Sequence, residues 1–317
     1  MADWKVALNV VIFFFLFPLS LVAQQPNCSQ ASQFYTKDSI SIVTFGASTV
    51  AGVGGAGFQG YLQKQIAYCY TGKTIQIDNF AVPGETTVQG LSRIDAAIAG
   101  HSGFFFILMG ANDALRITDG KMKLAETESS MRKIIQKCLA SNLTVVLGTI
   151  QNFNDTKSEY YKRANANVIR INGIYRRLAA EYKLDIADIN NTLRRDFRLY
   201  HDDIHPNNRG YMVISYVWFD ALNNAIEKHF LEMYISQNFP NPAIGSASFL
   251  YTVPAAGEVT LTIYDLNGRP VKYLLKEYLS SGVYQREFFF NELSPGIYVY
   301  SYQTGGKRIV RKMLVGR

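Results

Sequence analysis

Ile40-Ser-Ile-Val-Thr-Phe-Gly-Ala-Ser-Thr49 is a β-rich run that stops at a glycine and is followed almost at once by a serine. Residues 40–45 read as one continuous apolar strand, the mark of a strand covered on both faces. Outward from it, residues 58–70 read as a helix, 74–81 as a second strand, and 104–109 as a third strand with apolar residues on both faces. A helix over 121–140 leads to a fourth strand over 143–150. Val168, Ile171, Ile174, Tyr175, Leu178 and Tyr182 then recur at helical spacing, before a short fifth strand over 184–189 and a closing helix over 209–229. Buried strands separated by helices predict a parallel sheet covered on each side, with any ligand beyond the carboxyl ends of the strands.

The pattern changes after Met233. Gln237-Asn-Phe-Pro-Asn-Pro242 places two prolines where a helix would have to continue, so residues 234–242 read as a linker. Short strands follow over 246–252, 258–264, 271–275, 283–290, 297–302 and 308–314, with turns at Asp265-Leu-Asn-Gly268 and Gly305-Gly306. This predicts a small all-β sandwich over residues 243–317.

Of the 317 residues, 48% are hydrophobic and 18% charged, which excludes a disordered chain and allows more than one domain. The net charge is +7, and residues 234–317 hold nine Lys or Arg against five Asp or Glu. The densest basic cluster, Lys307, Arg308, Arg311 and Lys312, lacks the motif context of a nucleic-acid binder, so no nucleic-acid partner is expected. Lys5, the apolar run 10–17 and the small apolar stretch 18–23 read as a secretory signal over residues 1–23, too short for a membrane span. Export permits a disulfide, but three cysteines cannot all pair. Cys28 with Cys69 is one open pairing, and Cys138, in a helical stretch, reads as a buried small hydrophobe.

Ser48 stands just past the first strand, where Gly46 frees the backbone to turn the hydroxyl toward the active end of the sheet. At the far end of the α/β region lies His201-Asp-Asp-Ile-His-Pro206. Asp202 and His205 are three residues apart, so the carboxylate can hold one imidazole nitrogen while the other faces the serine. Pro206 keeps His205 out of helical conformation. Oxyanion donors are expected from the loops after strands two and three: the Gly84 N–H in Asn79-Phe-Ala-Val-Pro-Gly84 and the Asn112 amide in Gly110-Ala-Asn-Asp113. Each residue alone could be an ordinary cap or turn residue; the joint occurrence after successive strands is what speaks for chemistry.

Gly46-Ala-Ser48, Gly84, Gly110-Ala-Asn-Asp113 and Asp202-Asp-Ile-His205, in that order, resemble the SGNH (GDSL) hydrolase superfamily. The stretches 79–93 and 110–116 are most similar to its thioesterase, arylesterase and lysophospholipase branch. The resemblance implies an α/β fold, a flavodoxin-like three-layer sandwich on a five-stranded parallel sheet, in a catalytic domain over 24–233. It implies Ser48 as nucleophile, His205 as general base and acid, and Asp202 as its orienter. It also implies an oxyanion hole of the Ser48 and Gly84 N–H groups and the Asn112 side chain, and no cofactor or metal. The substrate would be a small-molecule or polysaccharide ester. Ala47 departs from the family pattern, which usually has Asp there. Gln237 to Pro242, the Asp265–Gly268 turn, Leu293-Ser-Pro-Gly-Ile-Tyr298 and residues 307–314 resemble the C-terminal sorting domain of the type IX secretion system. That implies the secretion machinery as a partner, passage through the periplasm, and a secreted or cell-surface location.

Three rival readings compete. Gly52-Val-Gly-Gly-Ala-Gly57, with Asp78 about twenty residues on, fits a dinucleotide fingerprint, but five residues separate it from the strand it should follow. His201 and His205 have the spacing of helical metal ligands, against which Pro206 argues. Ala47 suggests a surface or carbohydrate-binding protein on a decayed hydrolase fold. Phe58, Tyr61, Phe153 and Tyr160 are candidates for an acyl pocket or for plain packing.

Overall fold

The computed structural model describes residues 25–317, so the signal-peptide reading of residues 1–23 lies outside the described residues. The first part of the chain runs β1 (Ser39–Gly46), α1 (Ser48–Ala51), α2 (Gln59–Cys69), β2 (Thr74–Ala81), α3 (Thr87–Ile98), β3 (Phe104–Leu108), α4 (Ala111–Thr118), α5 (Leu124–Ala140), β4 (Thr144–Gly148), α6 (Glu159–Tyr182), β5 (Asp185–Ala187), α7 (Ile189–Leu193) and α8 (Asn208–His229). The five strands form a wholly parallel sheet in the order β2-β1-β3-β4-β5. That is the doubly wound order whose strand sequence reverses beside β1, between β1 and β3. Helices α2 and α8 pack together as one layer, and α3, α4, α5 and α6 pack against one another as the other.

The registers decide where the loops emerge. Gly46 at the end of β1 lies opposite Ala81 of β2 and Leu108 of β3, so these three strands end level. β3 is buried along its whole length, as its Phe-Phe-Phe-Ile-Leu sequence predicts. Trp218 of α8 stacks on Phe106 (ring centroids 4.6 Å apart, planes 10° apart) and on Phe58 (5.8 Å). Gly148 makes the space, since a Cβ there would come within 3.0 Å of the indole. Four helices have no counterpart in the sequence reading, α1, α3, α4 and α7. α3 starts with a capping box from Thr86 and Gln89, and α4 follows directly on Gly110, whose φ of +116° suits glycine.

Cys28 and Cys69 form a disulfide, and Cys138 is a buried free thiol, in line with the pairing left open by the sequence. The bond ties the segment before β1 to the end of α2.

The remainder comprises β6 (Phe239–Ile244), β7 (Ser246–Val253), β8 (Gly257–Tyr264), β9 (Pro270–Leu279), β10 (Gly282–Phe289), β11 (Gly296–Thr304) and β12 (Lys307–Val315). Their order is β10-β7-β6-β12-β11-β8-β9. Pairing is antiparallel throughout except between β6 and β12, which meet in parallel at Ala243 and Val315. β6 is therefore the seam between two antiparallel sheets, which enclose a second core of Phe249, Tyr251, Tyr300, Tyr302 and Met313. The 234–242 stretch is itself packed: Ile235 and Asn238 are buried, and Phe239 opens β6. Prolines lack the N–H that marks a strand, which is why the stretch reads as a linker from sequence.

Trp218→Ala is expected to cost about 3–5 kcal/mol, because it removes the buried ring that closes α8 onto the sheet. Urea unfolding of the two proteins measures this; a loss below about 1 kcal/mol would show that the stack is not what closes that layer.

Candidate active site

Ser48 is the first residue of α1, half-buried, at the mouth of the β1–β3 crevice. As a helix-initial residue its N–H has no intrahelical acceptor. Gly46 before it cannot carry a side chain, since a Cβ would sit 2.3 Å from both Leu108 O and Val50 Cγ2. The short helix is pinned from α2 and β2: Gln59 Nε2 (2.7 Å) and Asn79 Nδ2 (3.2 Å) both donate to Val50 O.

His205 Nε2 lies 3.0 Å from Ser48 Oγ, and His205 Nδ1 lies 2.8 Å from Asp202 Oδ2. An ionised carboxylate only accepts, so Nδ1 carries the proton and the Nε2 lone pair faces the hydroxyl. The other Asp202 oxygen, Oδ1, accepts from the Ile204 N–H (2.7 Å) and the His205 N–H (2.6 Å), which wraps the loop around the carboxylate. A Tyr200–Pro206 bridge and the His201 N–H donating to His205 O (2.8 Å) close that loop at its base. Partial burial works to raise the Asp202 pKa, but the donors from His205 and Ile204 outweigh it, and the carboxyl is held below its ordinary value.

Two glycines of the 52–57 run face this loop and the helix start after it. Gly54 has φ +89°, and a Cβ on it would fall 2.9 Å from both His201 Cβ and Pro206 O. Gly55 lies as close to Asn208 and Tyr211, and the Ala56 N–H donates to Asn208 Oδ1 (2.8 Å). Gly54 and Gly55 thus allow close packing against the histidine loop and the start of α8.

Gly84 sits at φ +84° in an exposed loop, with open space around its Cα. Asn112 Nδ2 donates to Glu85 O at 2.9 Å, so the asparagine amide and the Gly84 loop are fastened together, leaving a second amide hydrogen for another acceptor. Arg93 completes the frame. Its Nη2 donates to Gly46 O (3.1 Å), its Nη1 to Phe80 O (2.9 Å) and its Nε to Glu85 (2.6 Å), while its guanidinium covers the Phe45 ring at 4.3 Å. One side chain thus ties the ends of β1 and β2 to the Gly84–Glu85 loop. Asp113, fully buried, accepts from the Thr87 N–H (3.0 Å), the Thr87 hydroxyl (2.5 Å) and the Thr127 hydroxyl (3.0 Å). Burial raises its pKa in spite of these donors.

Sequence reasoning missed Arg93, Gln59, Asn79 and Gln151. Arg93 stands on the helix that the Thr86-x-x-Gln89 capping box announces, so a signal existed for its helix but not for its reach. Of the aromatic candidates, Phe58 and Phe153 are fully buried in the core, Tyr61 packs against it, and the Tyr160 hydroxyl donates to Asp119 (3.0 Å). None of them is tied to Ser48 or His205 by a hydrogen bond. Among the described residues no group of three or more His, Cys, Asp or Glu side chains is grouped to hold a metal ion.

Residues 44–213 match the GDSL-like lipase/acylhydrolase family, more than half of the chain, and the protein belongs to that family. Residues 237–316 match the secretion system C-terminal sorting domain, which indicates export from the cell or to its surface. Similar solved structures include a catalytic mutant of an acetylxylan esterase from Geobacillus stearothermophilus (TM-score 0.52, 16% identity, 59% of this chain and 96% of that one). Others are a lipase/acylhydrolase from Enterococcus faecalis (0.50, 20%, 58% and 96%) and an alpha/beta hydrolase enzyme from the metagenome of Lake Arreo, Spain (0.50, 19%, 60% and 97%). At these identities the likeness concerns the fold, a five-stranded parallel α/β core followed here by antiparallel sheets. No curated protein matches the chain.

The depressed Asp202 pKa has a stability consequence. The unfolded carboxyl titrates near about 3.9, so the stabilisation is complete above that pH and is lost as pH falls through the lower folded value. Below about pH 4, the melting temperature of the wild type is expected to fall more steeply than that of Asp202→Asn. Parallel melting curves would show that the carboxyl is not held by its three donors.

Proposed function

We propose that the protein is an exported serine esterase that hydrolyses carboxylic esters through an acyl-enzyme. The observation that carries this reading is the unbroken line of hydrogen bonds from Asp202 through His205 to Ser48 Oγ, 2.8 and 3.0 Å long. In this reading His205 Nε2 takes the hydroxyl proton as Ser48 Oγ attacks the ester carbonyl carbon. The N–H groups of Ser48 and Gly84 and the free amide hydrogen of Asn112 receive the oxyanion. The tetrahedral intermediate collapses, the alcohol leaves with the proton from His205, and water repeats the sequence to release the acid. The acetylxylan esterase above has catalytic mutants at a serine, an aspartate and a histidine, the last two three positions apart, as Asp202 and His205 are. The sorting domain would carry the enzyme through the periplasm to the type IX machinery.

The acyl group is expected to be short, acetyl above all. With Phe58 and Phe153 inside the core, two of the four aromatic candidates cannot line a long acyl channel, while the open Gly84 loop leaves room for a bulky alcohol such as a polysaccharide. Rates on nitrophenyl esters of increasing chain length should peak at the shortest acyl groups, and acetylated xylan should be deacetylated. A maximum at long chains would assign the enzyme to lipid esters instead.

A fluorophosphonate is expected to label the wild type and not Ser48→Ala, and esterase activity should vanish with the label. An unlabelled wild type would favour a binding protein on this fold. Activity should fall as the solution is made acidic, because only a neutral imidazole can accept the hydroxyl proton. Asn112→Ala should lower kcat by about 10²–10³-fold with little change in KM, and an unaltered kcat would remove that amide from the oxyanion hole.

A further inference from the structure

Gln151 lies three residues beyond β4 and is almost completely buried, 1% exposed. Its Nε2 donates to Thr49 Oγ1 at 2.9 Å and to Ile204 O at 3.2 Å. Thr49 follows Ser48 in the chain, and Ile204 precedes His205. One amide nitrogen therefore spends both its hydrogens on the immediate neighbours of the two residues that must meet. From the sequence these lie 157 positions apart.

The backbone that carries Gln151 is itself fixed. Asn172 of α6 accepts from the Ile150 N–H (2.9 Å) and donates to Ile150 O (2.9 Å), and Asn190 donates to the same carbonyl (2.8 Å). On the other side, the Tyr200 hydroxyl donates to Asn152 O (2.8 Å) and Asn152 Nδ2 donates to Arg194 O (3.1 Å). Next along, the Asn154 N–H (2.8 Å) and side chain (2.9 Å) bind the backbone and carboxylate of Asp203, in the histidine loop. The strand-four loop is thus a rigid bracket, and Gln151 is the arm that reaches across it.

We infer that Gln151 is a positioning residue that sets the distance and angle between Ser48 and His205. This rests on the serine-esterase reading above. A side chain this buried cannot touch substrate, so its effect must pass through the two loops it joins. Proton transfer from serine to imidazole depends steeply on that geometry, and a displacement on the order of 1 Å can cost about 10²-fold.

The test compares the full-length wild type with Gln151→Met, which keeps the length and removes the donor, and Thr49→Val, which keeps the shape and removes one acceptor. Each is checked by circular dichroism to be folded at the assay temperature. Gln151→Met is expected to lower kcat by about 10–100-fold with KM within about twofold. The rate of fluorophosphonate labelling should fall in parallel. Thr49→Val should show a smaller loss, and the double variant should match Gln151→Met alone, because the two substitutions break the same bond. If Gln151→Met does not fold, a drop in kcat and labelling rate at unchanged KM in Thr49→Val supports the inference by itself. Folded variants with wild-type kcat and labelling rate, or a change confined to KM, would overturn it while leaving the esterase reading intact. A wild type that neither takes the label nor cleaves esters sinks both.

Discussion

Position 46 has room for a hydrogen and for nothing larger, because the end of β1 is pressed between the Leu108 carbonyl on β3 and the Val50 side chain on the helix that follows. Gly46 lies opposite Leu108 of β3 and Ala81 of β2, so the three strands end at the same height. The three loops that leave these strands start level and side by side. Ser48 and Asn112 open the helices that follow β1 and β3, and Gly84 stands in the loop after β2, so their approach is set by strand register before any side chain interacts. The histidine loop comes from far along the chain and is fitted to the same crevice by the glycines at 54 and 55.

The serine loop is held by an arrangement that makes sense of Ala47. Where the wider family usually carries a carboxylate, this chain has a buried methyl group, 6% exposed. Three neutral or cationic groups hold the same turn instead: Gln59 and Asn79 on the Val50 carbonyl, and Arg93 on the Gly46 carbonyl. Backbone carbonyls need donors, and donors are what these side chains supply. The carboxylate that Arg93 does use is Glu85, and the carbonyl of Glu85 takes the Asn112 amide. Loss of the aspartate therefore does not leave the turn unsupported, and the support that replaces it runs on to the Asn112 amide and the Gly84 loop.

Much of this was legible in the sequence because it is periodic or local. The apolar run at β1, the unbroken Phe-Phe-Phe-Ile-Leu of β3 and the spacing of Val168 to Tyr182 on α6 announce themselves through burial. Asp202 and His205 lie close enough in sequence for their pairing to be read directly. Helices α3 and α4 escaped notice because α3 is short of large apolar residues and α4 is only two turns long, although Thr86 and Gln89 spell a capping box. Gln151 and Arg93 were illegible for a different reason. Gln151 reaches a hydroxyl and a main-chain carbonyl far away in sequence, Arg93 joins two strand-end carbonyls to Glu85, and no local pattern encodes either reach. The glycine run at 52–57 reads from sequence as a dinucleotide fingerprint, because the surface that Gly54 and Gly55 approach is set by tertiary packing alone.

The sorting sandwich meets the α/β unit at the opposite end of the sheet from Ser48. Phe230 packs on Phe104 at the start of β3, and the Tyr35 hydroxyl binds Ser39 O at the start of β1. Phe34 in turn lies against Tyr234, whose ring is covered by Arg311 of β12, and Tyr35 bridges to Leu231. Leu250 of β7 and Val283 of β10 join the edge of the first core. These contacts are largely aromatic and apolar. The contacts gather where parallel strands begin, whereas chemistry in such sheets sits where they end. The packing thereby keeps the sorting domain away from the strand ends beside which Ser48, Gly84 and Asn112 stand.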